Sequence, residues 1–432
     1  MVSRSLNANL MQFLHQSPTP FHAVSNLSEM LELADFERLS ESEHWDLEKG
    51  KGYFVIRNDS ALIAFRGGSG SIVSDGFRIT GSHTDSPGLK IKPLPTTINK
   101  GYVQLGVEVY GGALLAPWFD RDLSIAGRVH FQTKQGQIKS TLIDFKSPLA
   151  FIPSLAIHLN RNANEGNKIN RQKELPPILL TTQSGKIFDF DNLLLTTIRK
   201  NSACRNADAV LSHELLLYDT QPPSLVGLEE EFIASARLDN LLSCYLTCVS
   251  LIESKEKFPG LMVCNDHEEV GSVSSSGAQG PFLRSVLERI LRSETPDDDA
   301  FDRAISNSDF WSIDNAHGIH PNYSEKHDEQ HSPSLNLGPV IKINANQRYA
   351  SNSKSIALFK SICKKESIPF QSFAMRSDMA CGSTIGPISA SEIGVETLDI
   401  GVASFGMHSI RELSGARDTQ LLKKVVTAFY NR

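Results

Sequence analysis

Hydrophobic periodicity divides the chain into three stretches. In the first, Leu6, Leu10, Phe13 and Leu14 fall at helical spacing and Ser17-Pro18 closes the run, which predicts an amphipathic helix. Strand-like segments follow it: GYFVIR, ALIAFRG and FRITGSHTDSPG. Residues 95–230 change character. YVQLGVEVYGG, LSIAGRVHFQ and QIKSTLIDF read as strands parted by Gly, Asn and Asp turns, with one polar loop, LNRNANEGNKINRQKELPP, and few groups suited to catalysis. This stretch predicts an inserted β-rich domain. From residue 231 helix and strand patterns alternate: ARLDNLLSCYLTCVSLIES, GLMVCNDHEEVG, GPFLRSVLERILRSE, SNSDFWSIDNAH, ALFKSICKKESI, IGVETLDIGVAS and QLLKKVVTAFY. Such alternation predicts an α/β fold with a mixed, largely parallel sheet flanked by helices. Functional groups then belong on loops at the strand C-termini.

Composition agrees with two domains. A chain of 432 residues is too long for one ordinary core, and 40% apolar with 21% charged residues fits a globular protein. With 43 basic against 49 acidic residues the net charge is −6, and no Lys/Arg run occurs, so a nucleic-acid partner is not expected. An acidic substrate would need a local positive group, because the overall field repels it. Six cysteines, at 204, 244, 248, 264, 363 and 381, form no CxxC pair. Cys244 and Cys248 stand at i,i+4 on one helix face, which argues against a disulfide framework or a thiolate zinc site and for a reducing compartment. The N-terminal pattern lacks an apolar signal region, and no apolar run reaches about 18 residues. Neither a signal peptide nor a membrane span is expected, and the cytoplasm follows.

Five separated segments each end an apolar run with a metal-competent side chain. FRITGSHTDSPG carries His83 and Asp85; an Asp two residues on can accept the second N–H of a ligating imidazole, although taken alone the segment fits more readily a turn histidine with Asp85 capping the loop before Pro87. Asp239 in ASARLDNLLS stands just ahead of a helix, where capping competes with ligation. LMVCNDHEEVGS runs from a wholly apolar stretch into Glu268 and Glu269. Adjacent glutamates repel one another unless solvated or paired with a cation, so the doublet is either an acidic turn or a division of labour, one carboxylate holding an ion and the other serving as general base. FWSIDNAHGIHPNYSEKHDEQH offers Asp314 and histidines 317, 320, 327 and 331. Gly318 and Pro321 oppose the helix that would align His317 with His320, which favours Asp314 as the ligand. LDIGVASFGMHSIRE places His408 after a strand-like run, where a capping role is the alternative. Mixed N/O ligation of this kind suits zinc, manganese or cobalt.

These segments, together with SPTPFHAV, GSHTDSPGLKIKP, APWFDRDLSIAGRV, IPSLAIHLNR, GPVIKINANQRYASN and CGSTIGPI, resemble the aspartyl aminopeptidase family of co-catalytic-metal exopeptidases nearly end to end. The resemblance implies a metallo-exopeptidase fold, with residues 1–94 and 231–432 as the catalytic domain and 95–230 as a β-rich dimerisation domain. It implies two divalent ions, zinc first, held by His83, Glu269, Asp314 and His408 with Asp239 as the bridging carboxylate. It implies Asp85 as the partner of His83 and Glu268 as the base. Lys342 is implied as the cation for an acidic substrate side chain, Tyr349 as a carbonyl-stabilising group, and His158 as a residue reaching a neighbouring subunit's site. The expected substrates are short peptides with a free N-terminus, preferentially starting with Asp or Glu, and the expected assembly is a tetrahedral dodecamer built from dimers. The family's usual turn before the glutamates is Asp-Asn-like, whereas this chain has Asn265-Asp266-His267. Three other readings remain open at this stage: the same chemistry with neutral-residue preference, a metal-dependent deacylase, and a catalytically silent scaffold.

Overall fold

Four parallel strands form the centre of the main sheet, and their C-terminal ends face one way. In sheet order they are Gly260–Asn265, Arg78–His83, Asp309–Ile313 and Glu396–Gly401. The computed structural model describes residues 2–68, 70–166, 168–182, 188–255 and 259–432; position 167 of the polar loop expected before Pro176 lies outside them. The chain divides into two compact units: 1–86 with 223–407 and 412–432, and 87–222 with 408–411.

In the first unit the central strands are flanked on one side by Ala61–Arg66, Gly52–Arg57 and Glu37–Leu39, and on the other by Val340–Ile343 and Gln371–Ala374, making nine strands. Five of the eight pairings are parallel. Every residue of Gly260–Asn265 and of Arg78–His83 is buried. That is why LMVC reads as a continuous apolar run with no alternation: helices cover both faces of a parallel sheet. One layer comprises Val2–Gln16, Pro20–Glu32, Leu238–Ile252, Ser353–Glu366 and Asp418–Tyr430, packed in a core where Trp311 stacks on Phe429 at 3.9 Å. The opposite layer comprises Phe282–Glu294, Ala300–Ser306 and Ile385–Ile393. Cys244 and Cys248 are buried in the first layer, and all six cysteines are free thiols. Among the described residues no helix is long and apolar enough to cross a membrane.

The second unit holds a six-stranded antiparallel sheet, in the order Ile138–Asp144, Leu123–Thr133, Ala207–Asp219, Gly88–Asn99, Tyr102–Tyr110 and Ile178–Thr181. The observed unit runs from 87 to 222, compared with 95–230 in the sequence pattern. The early shift has a local cause. Pro93 and Pro95 look like a break, but the strand Gly88–Asn99 continues through them, with its register interrupted between Ile91 and Thr96. A strand tolerates proline at such an irregularity, where no ladder donor is needed. At the other end, Ser224–Val226 pairs with Phe232–Ser235 in a sheet of the first unit. The helix Phe190–Ile198, capped by the Asp189 side chain accepting from Asn192 N at 3.0 Å, interrupts an otherwise β-rich pattern.

Candidate metal centre

His83 is the last residue of its strand and is 1% exposed. Its Nδ1 lies 3.0 Å from the Asp85 backbone carbonyl, which can only accept, so Nδ1 carries the proton. That leaves Nε2 facing three carboxylates: Asp239 Oδ1 at 3.5 Å, Asp314 Oδ1 at 3.7 Å and Glu268 Oε2 at 3.8 Å. Asp314 and Glu268 reach this point from just beyond strand ends, as expected for a parallel sheet, and Asp239 reaches it from the head of the helix Leu238–Ile252.

The doublet owes its shape to two left-handed residues. The chain leaves Gly260–Asn265, passes His267 at φ 62°, makes a single 3-10 turn over Glu268–Val270, and turns again at Gly271, φ 100°, a conformation that glycine adopts without steric cost. Asp85 braces this turn. Its Oδ1 accepts from Glu268 N and its Oδ2 from Glu269 N, each at 3.1 Å. The Asp85 carboxylate stands 3.4 Å from His83 Nδ1, so one side chain orients the doublet while its own carbonyl fixes the imidazole. Asp85 thus fixes both His83 and the backbone of the doublet.

Asp239 follows Arg237, φ 59°, and keeps non-helical dihedrals at the head of Leu238–Ile252, where no side-chain cap forms. Its carboxylate turns toward His83, which decides between capping and convergence. Glu412 Oε2 accepts from Asp239 N at 2.9 Å, and Ser86 Oγ donates to Asp239 O at 2.7 Å. Asn240 Nδ2 donates both to Ile313 O at 3.0 Å and to Asp314 Oδ1 at 3.2 Å, tying the Asp239 segment to the Asp314 strand end. Glu412 and Asn240 escaped sequence reasoning. Glu412 stands 173 residues from Asp239, and only the fold brings it there; its one signal was membership of the MHSIRE motif.

One donor atom from each of His83, Glu268 and Glu269 lies within 4.8 Å of the others, and the same holds for His83, Asp239 and Asp314. So many buried anions around one imidazole repel. Burial pushes Glu268 up to about 7, with repulsion from Asp314, Asp85 and Asp239 adding to it and His83 opposing it. Burial, then the Asp239 charge, holds Glu269 well above the usual carboxylate range. Burial works against a charged His83, but the Glu268 carboxylate and contacts with Asp239, Asp314 and Asp85 outweigh it and raise the imidazole. A divalent cation relieves all three at once, and the all-N/O donor set suits zinc. The Cys244 thiol is turned to the backbone, its Sγ donating to His83 O at 3.0 Å.

Lys342 is 2% exposed; its Nζ donates to Asp314 Oδ2 at 3.2 Å and to Asn315 O at 3.0 Å, and stands 5.1 Å from the Tyr349 ring centroid. Tyr349 is buried beside Phe373, and burial raises its phenol. Among the described residues, none of histidines 317, 320, 327 and 331 belongs to a group that could hold an ion. His320 N instead donates to His327 Nε2, and His331 pairs with Asp328. His158 and His408 lie in the second unit. His158 is on an exposed loop, and His408, φ 68°, has Nδ1 3.3 Å from the Gly112 carbonyl.

A parallel sheet whose strand ends, with one helix head, gather one imidazole and four carboxylates has the constitution of a metal-dependent hydrolase. Residues 13–430 match the family described as aminopeptidase I zinc metalloprotease (M18), and the chain belongs to that family. It is a metallo-aminopeptidase. It is 56% identical over 422 residues to a probable M18 family aminopeptidase 2 of Ectopseudomonas mendocina (strain ymp), covering 98% of this chain and 97% of that one. Among solved structures it is similar to the chain in the cryo-EM structure of the Ape4 and Nbr1 complex, with 38% identity, a TM-score of 0.95, and 99% and 86% of the two chains covered. It is also similar to the S. cerevesiae mApe1 dodecamer, with 29% identity, a TM-score of 0.84, and 98% and 95% covered.

Proposed function

We propose that this aminopeptidase removes N-terminal Asp and Glu from short peptides, using two divalent ions, zinc first. His83, Glu269, Asp314 and His408 would serve as ligands, and Asp239 would be the carboxylate shared between the ions. His83, Asp239, Glu269 and Asp314 derive support from their convergence; His408 derives it from the family resemblance. Bound ions supply an acidified water and a polarised scissile carbonyl. Glu268 takes the proton from that water at its carboxylate and returns it to the leaving amine. Asp85 holds the Glu268 backbone so that this carboxylate faces inward. Tyr349 faces the developing negative charge on the carbonyl oxygen.

The acidic preference rests on one observation, a buried ammonium beside the ligand cluster. An ammonium has three N–H donors, and Asp314 and Asn315 engage two of them. The third is left for a substrate carboxylate, and an ion on Asp314 weakens the competition for Lys342. Charge-assisted bonds contribute about 1.5–3 kcal/mol, roughly ten- to a hundredfold in specificity. Lys342→Ala is therefore expected to lower kcat/KM for an aspartyl dipeptide at least tenfold more than for a leucyl one; equal losses would remove Lys342 from selection. The same burial favours a second reading, in which Lys342 only neutralises Asp314 and neutral residues are preferred. Faster cleavage of leucyl than aspartyl dipeptides by the unsubstituted enzyme would establish that one.

We further propose a tetrahedral dodecamer assembled from dimers through the second unit, with His158 entering a neighbouring copy's site. Support comes from the apolar residues this unit leaves exposed, Leu94 at 93%, Leu159 at 75% and Ile138 at 69% among them, and from the dodecameric state of the S. cerevesiae relative. Leu155, Ile157 and Leu159 surround His158 with exposed apolar side chains, as a segment buried on association would. A solution mass equal to one 47.6 kDa chain would exclude the assembly and the role of His158 with it.

A further inference from the structure

Asp399 is fully buried on the central strand Glu396–Gly401, and neither the ligand set nor the general base involves it. Its neighbours on both sides lead to the site. On one side it is paired with Ser312, two residues before Asp314. On the other, Val340 pairs with Gly401 and Ile341 with Ile400, so the next position of that antiparallel register sets Lys342 across from Asp399. Facing residues of a register share one face of the sheet, where opposite charges attract.

The carboxylate also fastens the segment that carries Tyr349. Asp399 Oδ2 accepts from Ala350 N at 2.6 Å, and Oδ1 accepts from Thr384 Oγ1, also at 2.6 Å. Asp399 N donates to Ser351 Oγ at 2.9 Å. Gly386, near the head of Ile385–Ile393, leaves room for this arrangement, since a Cβ there would stand 2.3 Å from Asp399 Oδ2. A buried carboxylate of this kind costs stability unless its charge and its lone pairs are answered. A hydrophobic residue would fill the same space without that cost, so its presence calls for a role.

We infer that Asp399 is a positioning residue for substrate selection: its charge, across the sheet register from Lys342, draws the ammonium without taking its third N–H, and its carboxylate clamps the Tyr349–Ser351 segment, so that the two groups present a fixed pocket to an acidic side chain. This rests on the acidic-residue reading above. Asp399 touches no reacting atom and acts through Lys342 and Tyr349.

The test compares zinc-loaded enzyme carrying Asp399→Asn or Ser351→Ala with the unsubstituted enzyme, on aspartyl and leucyl dipeptides. Asn preserves the volume and can still accept from Ala350 N while donating to Thr384 Oγ1, but it removes the charge. The expected result for D399N is a fall in the aspartyl-to-leucyl ratio of kcat/KM of about tenfold or more, carried by the aspartyl KM, with zinc content unchanged. S351A loosens the segment and keeps the carboxylate; a fall in the ratio of about threefold or more is expected from losing the two neutral hydrogen bonds between Ser351 Oγ and the Asp399 backbone. If D399N does not fold, S351A decides. Parallel losses on both substrates, with the ratio kept, would mark a merely structural role and overturn the inference. A preference present in the unsubstituted enzyme that survives substitution overturns the inference alone. Absence of any preference in the unsubstituted enzyme overturns the acidic-residue reading and the inference together.

Discussion

Glu268→Gln is expected to lower kcat about a thousandfold, the middle of the range for a lost general base, while the bound zinc stays at the level of the unsubstituted enzyme. Gln matches Glu in shape and leaves the Glu268 backbone N–H on Asp85, so the turn keeps its geometry. What disappears is the ability to take a proton. Burial first, and three neighbouring carboxylates after it, raise the pKa of Glu268 to about 7, which makes its carboxylate a better proton acceptor near neutral pH. Elemental analysis alongside turnover distinguishes the outcomes. Near-normal turnover removes Glu268 from proton transfer. Loss of zinc in step with loss of turnover moves it into the ligand set, as its proximity to both His83 and Glu269 would also permit. Only inactivity with metal retained supports the division of the doublet into base and ligand.

Local pattern carried some parts of this molecule and not others. GYFVIR is a strand with the bounds its apolar run suggests, Gly52–Arg57, because sheet strands end where turn residues begin. The amphipathic helix Phe282–Glu294 was equally legible, since its apolar face repeats at helical spacing against one core. Asp239 was ambiguous for a physical reason: an aspartate before a helix is an ordinary cap, and only a carboxylate turned toward His83 removes that option. His83 and Glu268 lie 185 residues apart in sequence, and their meeting depends on the parallel pairing of Arg78–His83 with Gly260–Asn265. Motif resemblance supplied that juxtaposition, which periodicity could not. Asp399 was invisible to both, because an acidic residue within LDIG looks like an isolated polar interruption until Lys342 and Ala350 are seen on either side of it.

Removal of metal is expected to abolish peptide cleavage, lower the thermal midpoint by several degrees, and leave the helical signal of the folded protein in place at room temperature. Without an ion, Asp239, Glu268, Glu269 and Asp314 crowd around His83, and Lys342 pairs with Asp314 at 3.2 Å. Burying like charges this close is costly, so the ion-free state is the strained one. A ligand present at a hundred to a thousand times its dissociation constant stabilises the folded state by about 2.7–4.1 kcal/mol. In a chain of this size each kcal/mol moves the midpoint by about 2–4 °C or less. The frame survives the loss because the apolar layers on either face of the nine-stranded sheet bury it independently of the strand ends. Dialysis against a chelator, calorimetry, and cleavage before and after zinc is restored test this directly. Cleavage that persists once no metal is detectable would overturn the metal-dependent mechanism. An unchanged midpoint with activity lost would place the ion in catalysis alone, and the four carboxylates would then have to be stabilised by protonation, the response that burial already favours at Glu268 and Glu269.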